Sequence, residues 1–141
     1  MELKQNDRDN QIDQLESVMI NNFPVIDCPI RHFFTDGLYA REMSAPADSL
    51  ITSKIHKTEH LFILSKGSLC VWDENGNEVI LEAPYIGITK AGTRRVAYII
   101  EDVVWTTFHA NPENENEIEI EERIIEKHDN ELLHQFKKMI P

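Results

Sequence analysis

Cysteine is scarce in this 141-residue chain, which has only Cys28 and Cys70. Two cysteines without paired spacing exclude a disulfide framework and a zinc knuckle, and make a reducing cytoplasm the expected setting. Long apolar runs are missing as well. None approaches the roughly 20 residues that a membrane span needs, so no membrane partner is expected. The start, "MELKQNDRDNQ", has neither the basic opening nor the apolar stretch of a signal peptide. Positive charge is in short supply: 14 Lys and Arg stand against 25 Asp and Glu, for a net charge of −11. The imbalance is −4 over residues 1–29, −2 over 30–110 and −5 over 111–141. Acidic ends around a nearly balanced centre leave no footprint for a nucleic-acid polymer. Any anion bound here must be small and enclosed.

What is present describes one domain over 1–141, 41% hydrophobic and large enough to bury a core. "QIDQLESVMINNFP" puts Ile12, Leu15, Val18 and Met19 on one helical face ahead of Pro24, predicting a short amphipathic helix over 10–22. "VIDCPIRHFFTDG" reads as a linking stretch with turn residues at Asp36-Gly37. From Leu38 to His109 the texture changes to short runs rich in Ile, Val, Phe, Tyr, Trp and Thr. These are "LYAREM", "LITSKIH", "HLFILS", "SLCVW", "EVILEA", "YIGITK", "RVAYII" and "VVWTTFH", with a hairpin signal at Asn75-Gly76. Eight short strands at near-regular spacing predict an all-β barrel or sandwich over 38–109. Beyond it, "NPENENEIEIEERIIEKHDN" reads as a solvated acidic linker or helix face. "NELLHQFKKM" has Leu132, Leu133 and Phe136 at helical spacing. The segment 111–141 is therefore expected to end in a helix that packs on the barrel or on a partner subunit.

Alternation along a strand puts residues of one parity on one face. Lys54 and His56 then share a face, and His60, Phe62 and Leu64 continue it if the turn at 57–59 keeps direction. The opposite row, Leu61 and Ile63, is also apolar, which predicts cover on both sides. In the last strand the row Val103, Trp105, Thr107, His109 alternates with Val104, Thr106, Phe108, and either row could face inward. Arg94 and Arg95 have opposite parity, so only one of them reaches the interior.

The stretch "KIHKTEHLFILSKG", Lys54 to Gly67, together with "KAGTRR", resembles the cupin family of double-stranded β-helix barrels. That family has two His separated by one residue, then Glu, then Gly seven positions beyond the Glu, and later Pro-x-Gly followed by a third His. Counting back from Gly67, Lys54, His56 and His60 fill the first three positions. Lys90 stands in the Pro position, Gly92 keeps the glycine, and Arg95 stands where the third His would be. The wider run "CPIRHFF…GLYAREM…KIHKTEHLFILSKG…VW…GTRRV…VWTTFH" looks like small cupin-like proteins encoded by tailed bacteriophages. The likeness implies a fold and a source, with the host cytoplasm as the place of action. The expected architecture is a mostly β cupin-like jelly roll with a short N-terminal helix and a C-terminal helical tail, assembled as a homodimer.

The resemblance implies a metal site of three or four converging ligands, but two of the positions are cations. Lys54 and Arg95 cannot ligate while protonated, and close to a divalent ion each adds repulsion on the order of several kcal/mol. No cofactor is therefore favoured. The metal alternative is a divalent ion on His56, His60 and His109, with Glu59 and with the cationic chains turned away. The same replacements supply fixed positive charge. Arg95 offers a planar fork that suits carboxylate or phosphate, and Lys54 a compact charge. His56 and His60 add hydrogen-bonding groups, and Phe62, Tyr98 or Trp105 an apolar wall.

The expected function is binding of a small anionic ligand of nucleotide or phosphosugar type, in a phage setting the sequestering of a host nucleotide signal. One rival is a metal-free isomerase or epimerase, with His56 or His60 as general base and Tyr98 as proton donor. Another is a virion or assembly protein. A blander role for Arg95 is an ion pair with Glu59, Glu42 or Glu82 that seals the barrel mouth. Cys28 and His32 read as packing residues, and His128 and His134 carry no function.

Overall fold

The computed structural model of the chain describes residues 2–24, 26–72 and 76–125. Helix α1 spans Glu2–Asn22 and so begins well before residue 10. Ile12, Glu16 and Met19 form its buried stripe, whereas Val18 is 50% exposed. The expected apolar face is thus rotated, because the helix packs around a buried charge. Arg94 is wholly buried beneath α1 and pairs with Asp9, Asp13 and Glu16. Arg8 reaches back from the helix and donates to the Arg94 carbonyl at 2.6 Å.

Among the described residues seven strands follow: β1 Ile30–Thr35, β2 Gly37–Ala45, β3 Leu50–Thr52, β4 His60–Trp72, β5 Glu78–Glu82, β6 Tyr85–Thr89 and β7 Val96–Asn111. All their pairings are antiparallel. The stretch expected to link helix and barrel therefore contains a strand, and the sheet starts at Ile30. β1 and β2 turn at Asp36-Gly37, where Gly37 takes φ +79. β4 and β7 each fuse two of the expected strands. Gly67 lies inside β4 with φ +81. A Cβ there would run into the Asp102 carbonyl, so glycine lets β4 and β7 approach at a run of register shifts.

Those shifts carry the two long strands from one sheet layer to the other. Before them, β4 lies between β7 and β6, with β2 and β1 beyond β7. After them, β4 lies between β7 and β5, with β3 on the far edge of β7. The main core fills the space between the layers: Ala45, Phe62, Leu64, Leu69, Val71, Leu81, Ile99 and Val103. The expected mostly β architecture with a helix at each end is what the described residues form.

Part of the acidic segment is a helix with Glu117, Glu119 and Glu122 on its exposed face, as one of the two expectations had it. Helix α2, Glu117–Ile124, opens on a capping box in which Asn116 and Glu119 serve each other's backbone N–H. Its Ile120 and Ile124 pack on Tyr39 in a second small core. The tail expected to be helical, with Leu132, Leu133 and Phe136, lies outside the described residues, as do His128 and His134. Among the described residues no helix is long and apolar enough to cross a membrane.

Candidate functional site

The two-residue period decides what lines the barrel. On β4, His60, Phe62 and Leu64 are buried while Leu61 is half-exposed. On β7 the inward row is Val103, Trp105, Thr107 and His109; Val103, Thr107 and His109 are buried. β2 contributes Tyr39, Arg41 and Met43, in register with His109, Thr107 and Trp105 respectively. The lining grades from apolar to polar along the barrel. Met43, Trp105 and Leu64 share one level, Arg41, Thr107 and Phe62 the next, and Tyr39 and His109 the one nearest α2.

Three imidazoles meet at that end. The His56 and His60 ring centroids are 4.7 Å apart, and those of His60 and His109 4.4 Å. His60 Nδ1–H donates to the Thr58 carbonyl at 3.1 Å, and His109 Nε2 lies 3.1 Å from the Thr107 hydroxyl. The Nδ1 atoms of His56 and His109 are buried without a hydrogen-bond partner among the described residues. Such atoms cost free energy unless something else satisfies them. Burial pushes the His56 and His109 imidazoles down to about 3, with neighbouring His60 and Arg41 acting the same way. His60 is also lowered by burial, opposed by its bond to Thr58. His56 and His109 are therefore neutral at physiological pH.

Positive charge in the site comes from arginine. The Arg95 guanidinium lies 5.1 Å from the Phe62 ring centroid and 5.8 Å from that of Trp105, and donates to the Thr89 hydroxyl at 3.1 Å. Phe62 and Trp105 are themselves stacked at 4.1 Å. Gly87 on β6 makes room for this stack, since a Cβ there would meet the Phe62 ring. Burial lowers Arg95 and Arg41 from their ordinary values, but a guanidinium stays protonated at neutral pH. Among the described residues Arg95 has no carboxylate ion pair, and Glu42 is engaged by Arg31 at 2.8 Å.

The placements sort the expected site residues. His56, His60, Phe62, Arg95, Trp105 and His109 come together. Lys54 is at the mouth, ion-paired with Glu121 of α2. Tyr98 corrects the expectation of a pocket donor: it is exposed, with its hydroxyl bonded to Asp48 at 2.6 Å, near the opposite end of β7 from His109. Arg94 supports α1 from below and does not face the pocket. Sequence reading missed Tyr39, Arg41 and Glu121. Alternation in "LYAREM" places Tyr39, Arg41 and Met43 on one face, but both faces mix polar and apolar residues, so the inner one has no sequence signal. His32 shares a 2.6 Å hydrogen bond with the Tyr39 hydroxyl.

Solved structures share this arrangement of layers. The chain is similar to an uncharacterized conserved protein with a double-stranded β-helix domain from Klebsiella pneumoniae, at TM-score 0.52 and 18% identity, over 63% of this chain and 76% of that one. It is similar to the cupin domain of Schizosaccharomyces pombe Cnp3, at TM-score 0.51 and 16% identity, over 79% of this chain and 77% of that one. The chain has a cupin-like fold. EutQ of Clostridium difficile is a further neighbour, at TM-score 0.50 and 10% identity, over 63% of this chain and 77% of that one. At these identities the likeness is one of fold alone. No family model matches the chain, and no curated protein matches it in sequence.

Cupin barrels imply a divalent metal, and the residues of this cupin-like chain do not fit one. Two of the four positions that the resemblance assigns to ligands hold Lys54 and Arg95, and Arg41 adds its charge against His56 and His109. A divalent ion among these cations would meet repulsion. Among the described residues, no group of three or more His, Cys, Asp or Glu is arranged to hold a metal ion.

Proposed function

We propose that the barrel is a metal-independent pocket for a small anionic ligand of nucleotide or phosphosugar type. One observation carries this reading: two guanidinium groups, Arg41 and Arg95, lie in the barrel against neutral imidazoles. A chain of net charge −11 has thus gathered positive charge in its interior. Arg95 supplies a planar fork for an oxyanion, and the Phe62–Trp105 stack an apolar wall. The buried Nδ1 atoms of His56 and His109 offer hydrogen bonds to hydroxyl groups of the same ligand. In the cytoplasm of a phage host, such a pocket would serve to sequester a nucleotide signal.

Thermal-shift screening of nucleotides and sugar phosphates tests the reading. A ligand at 100 times its Kd is expected to stabilise by about 2.7 kcal/mol, raising Tm by roughly 5–10 °C. Arg95→Ala should abolish the rise. No Arg95-dependent ligand across the panel, or a stoichiometric transition metal in the purified protein, would sink it.

The isomerase reading is the weaker one. A general base works best with a pKa near the working pH, whereas burial holds His56 near 3. Tyr98 also stands away from the cluster.

We propose further that the protein works as a homodimer built on the outer face of the larger layer. Phe33, Ala40, Phe108, Leu61 and Ile88 form one row across five strands, with Ile63 and Ile86 beside it. Leu61, Ile86 and Ile88 are each more than half exposed. Arg31 and Glu42 neutralise each other within this face, so the acidic ends of two copies need not oppose its self-pairing. Light scattering after gel filtration should report a dimer, and Ile88→Lys a monomer. A monomeric parent protein would refute the assembly.

A further inference from the structure

Helix α2 lies across the polar end of the barrel. Ile120 and Ile124 seat it on Tyr39, and the Lys57 N–H donates to the Ile124 carbonyl at 2.6 Å. Ile125 forms a β-bridge with His56, one of the three clustered imidazoles. From this seat Glu121 pairs with Lys54, and its charge also acts on Arg41 and Tyr39. The chain therefore presents a carboxylate of its own to cations that an anionic ligand would use.

We propose that Glu121 is the resident anion of the pocket mouth, and that displacing it makes the site selective for doubly charged oxyanions. The inference rests on the anion-pocket reading above. A singly charged carboxylate that replaces Glu121 exchanges one negative charge for another, with little Coulomb gain at Lys54 and Arg41. It must also loosen the last turn of α2 from the barrel. A dianion brings a second charge against Lys54, Arg41 and Arg95, and this surplus drives the exchange. Ligands ending in a phosphate monoester meet the requirement; monocarboxylates do not. α2 is thereby a strap over the mouth, released by the ligand it admits.

Inorganic phosphate and acetate at pH 7.5 are the probes, titrated into the full chain by calorimetry or NMR. The wild-type protein is expected to bind phosphate at least about tenfold more tightly than acetate. Glu121→Gln keeps the side-chain size at a partly exposed position, so the fold survives. It should tighten both anions, acetate most, and narrow the gap to about threefold. Glu122→Gln, the same charge change on an exposed neighbour, should leave the gap as it is. Phosphate should also speed hydrogen exchange at the Lys57 amide, the reverse of ordinary ligand protection. Phosphate binding that is equal in the wild-type protein and Glu121→Gln would overturn the inference and leave the pocket reading standing. If neither protein binds phosphate or acetate, the pocket reading fails and the inference with it.

Discussion

Replacing Arg94 with methionine is expected to destabilise the protein by about 3–5 kcal/mol, the usual loss when one partner of a buried ion pair is removed. The guanidinium is wholly buried and holds three acidic side chains of α1. Its NH2 group donates to Asp13 at 2.9 Å and to Glu16, which is itself 3% exposed. Without it, Glu16 loses its guanidinium partner at a buried position, and the helix sheds part of that cost by lifting away. Lifting exposes Ile12 and Met19, which are now buried. Urea denaturation measures the loss, and far-UV circular dichroism shows whether α1 melts first. Pairing Arg94→Met with Glu16→Leu should recover much of the stability, because an apolar pair replaces the buried charges. A loss below about 1 kcal/mol for the single variant would mean that α1 is not held by this arginine.

Lowering the pH from 7 towards 4 is expected to reduce Tm steadily, starting near 6.5. His56 and His109 sit near 3 in the folded protein, against 6.5 when exposed. Between these values the unfolded chain binds protons that the folded chain refuses, so stability falls as pH falls. Below about pH 3 both states are protonated at these groups and their contribution to the slope ends. Carboxylates ordinarily titrate near 4, so the window from 6.5 to 5 isolates the imidazoles. The double variant His56→Asn with His109→Asn should flatten Tm across that window. A parent protein with constant Tm from pH 7 to 5 would show that the cluster is hydrated and not buried.

Several features of the site were open to reading in the chain. The cupin resemblance carried by Lys54, His56 and His60 before Gly67, and by Arg95 after Gly92, implied a barrel wall with cations in place of ligands. Parity along β4 predicted His60, Phe62 and Leu64 on one face, and all three are buried. Other features left no local trace. β1 looked like a link because its two faces mix polar and apolar residues, and all six of its residues are exposed. "HLFILS" and "SLCVW" read as two strands, whereas Gly67 is the site of a bulge that joins them, because glycine marks turns and bulges alike and the partner strand decides which.

From residue order alone came the class of the protein: an alternating, β-branched and aromatic centre between acidic ends, with cationic side chains on a predicted inner face. Those properties are local, set by two-residue periodicity and by side-chain chemistry. Tertiary structure alone decided which row of β7 faces inward, that Arg41 joins Arg95, that Arg94 serves α1, and that Glu121 reaches Lys54. Each of these depends on residues far apart in the chain being brought within a few ångströms, which no local pattern encodes.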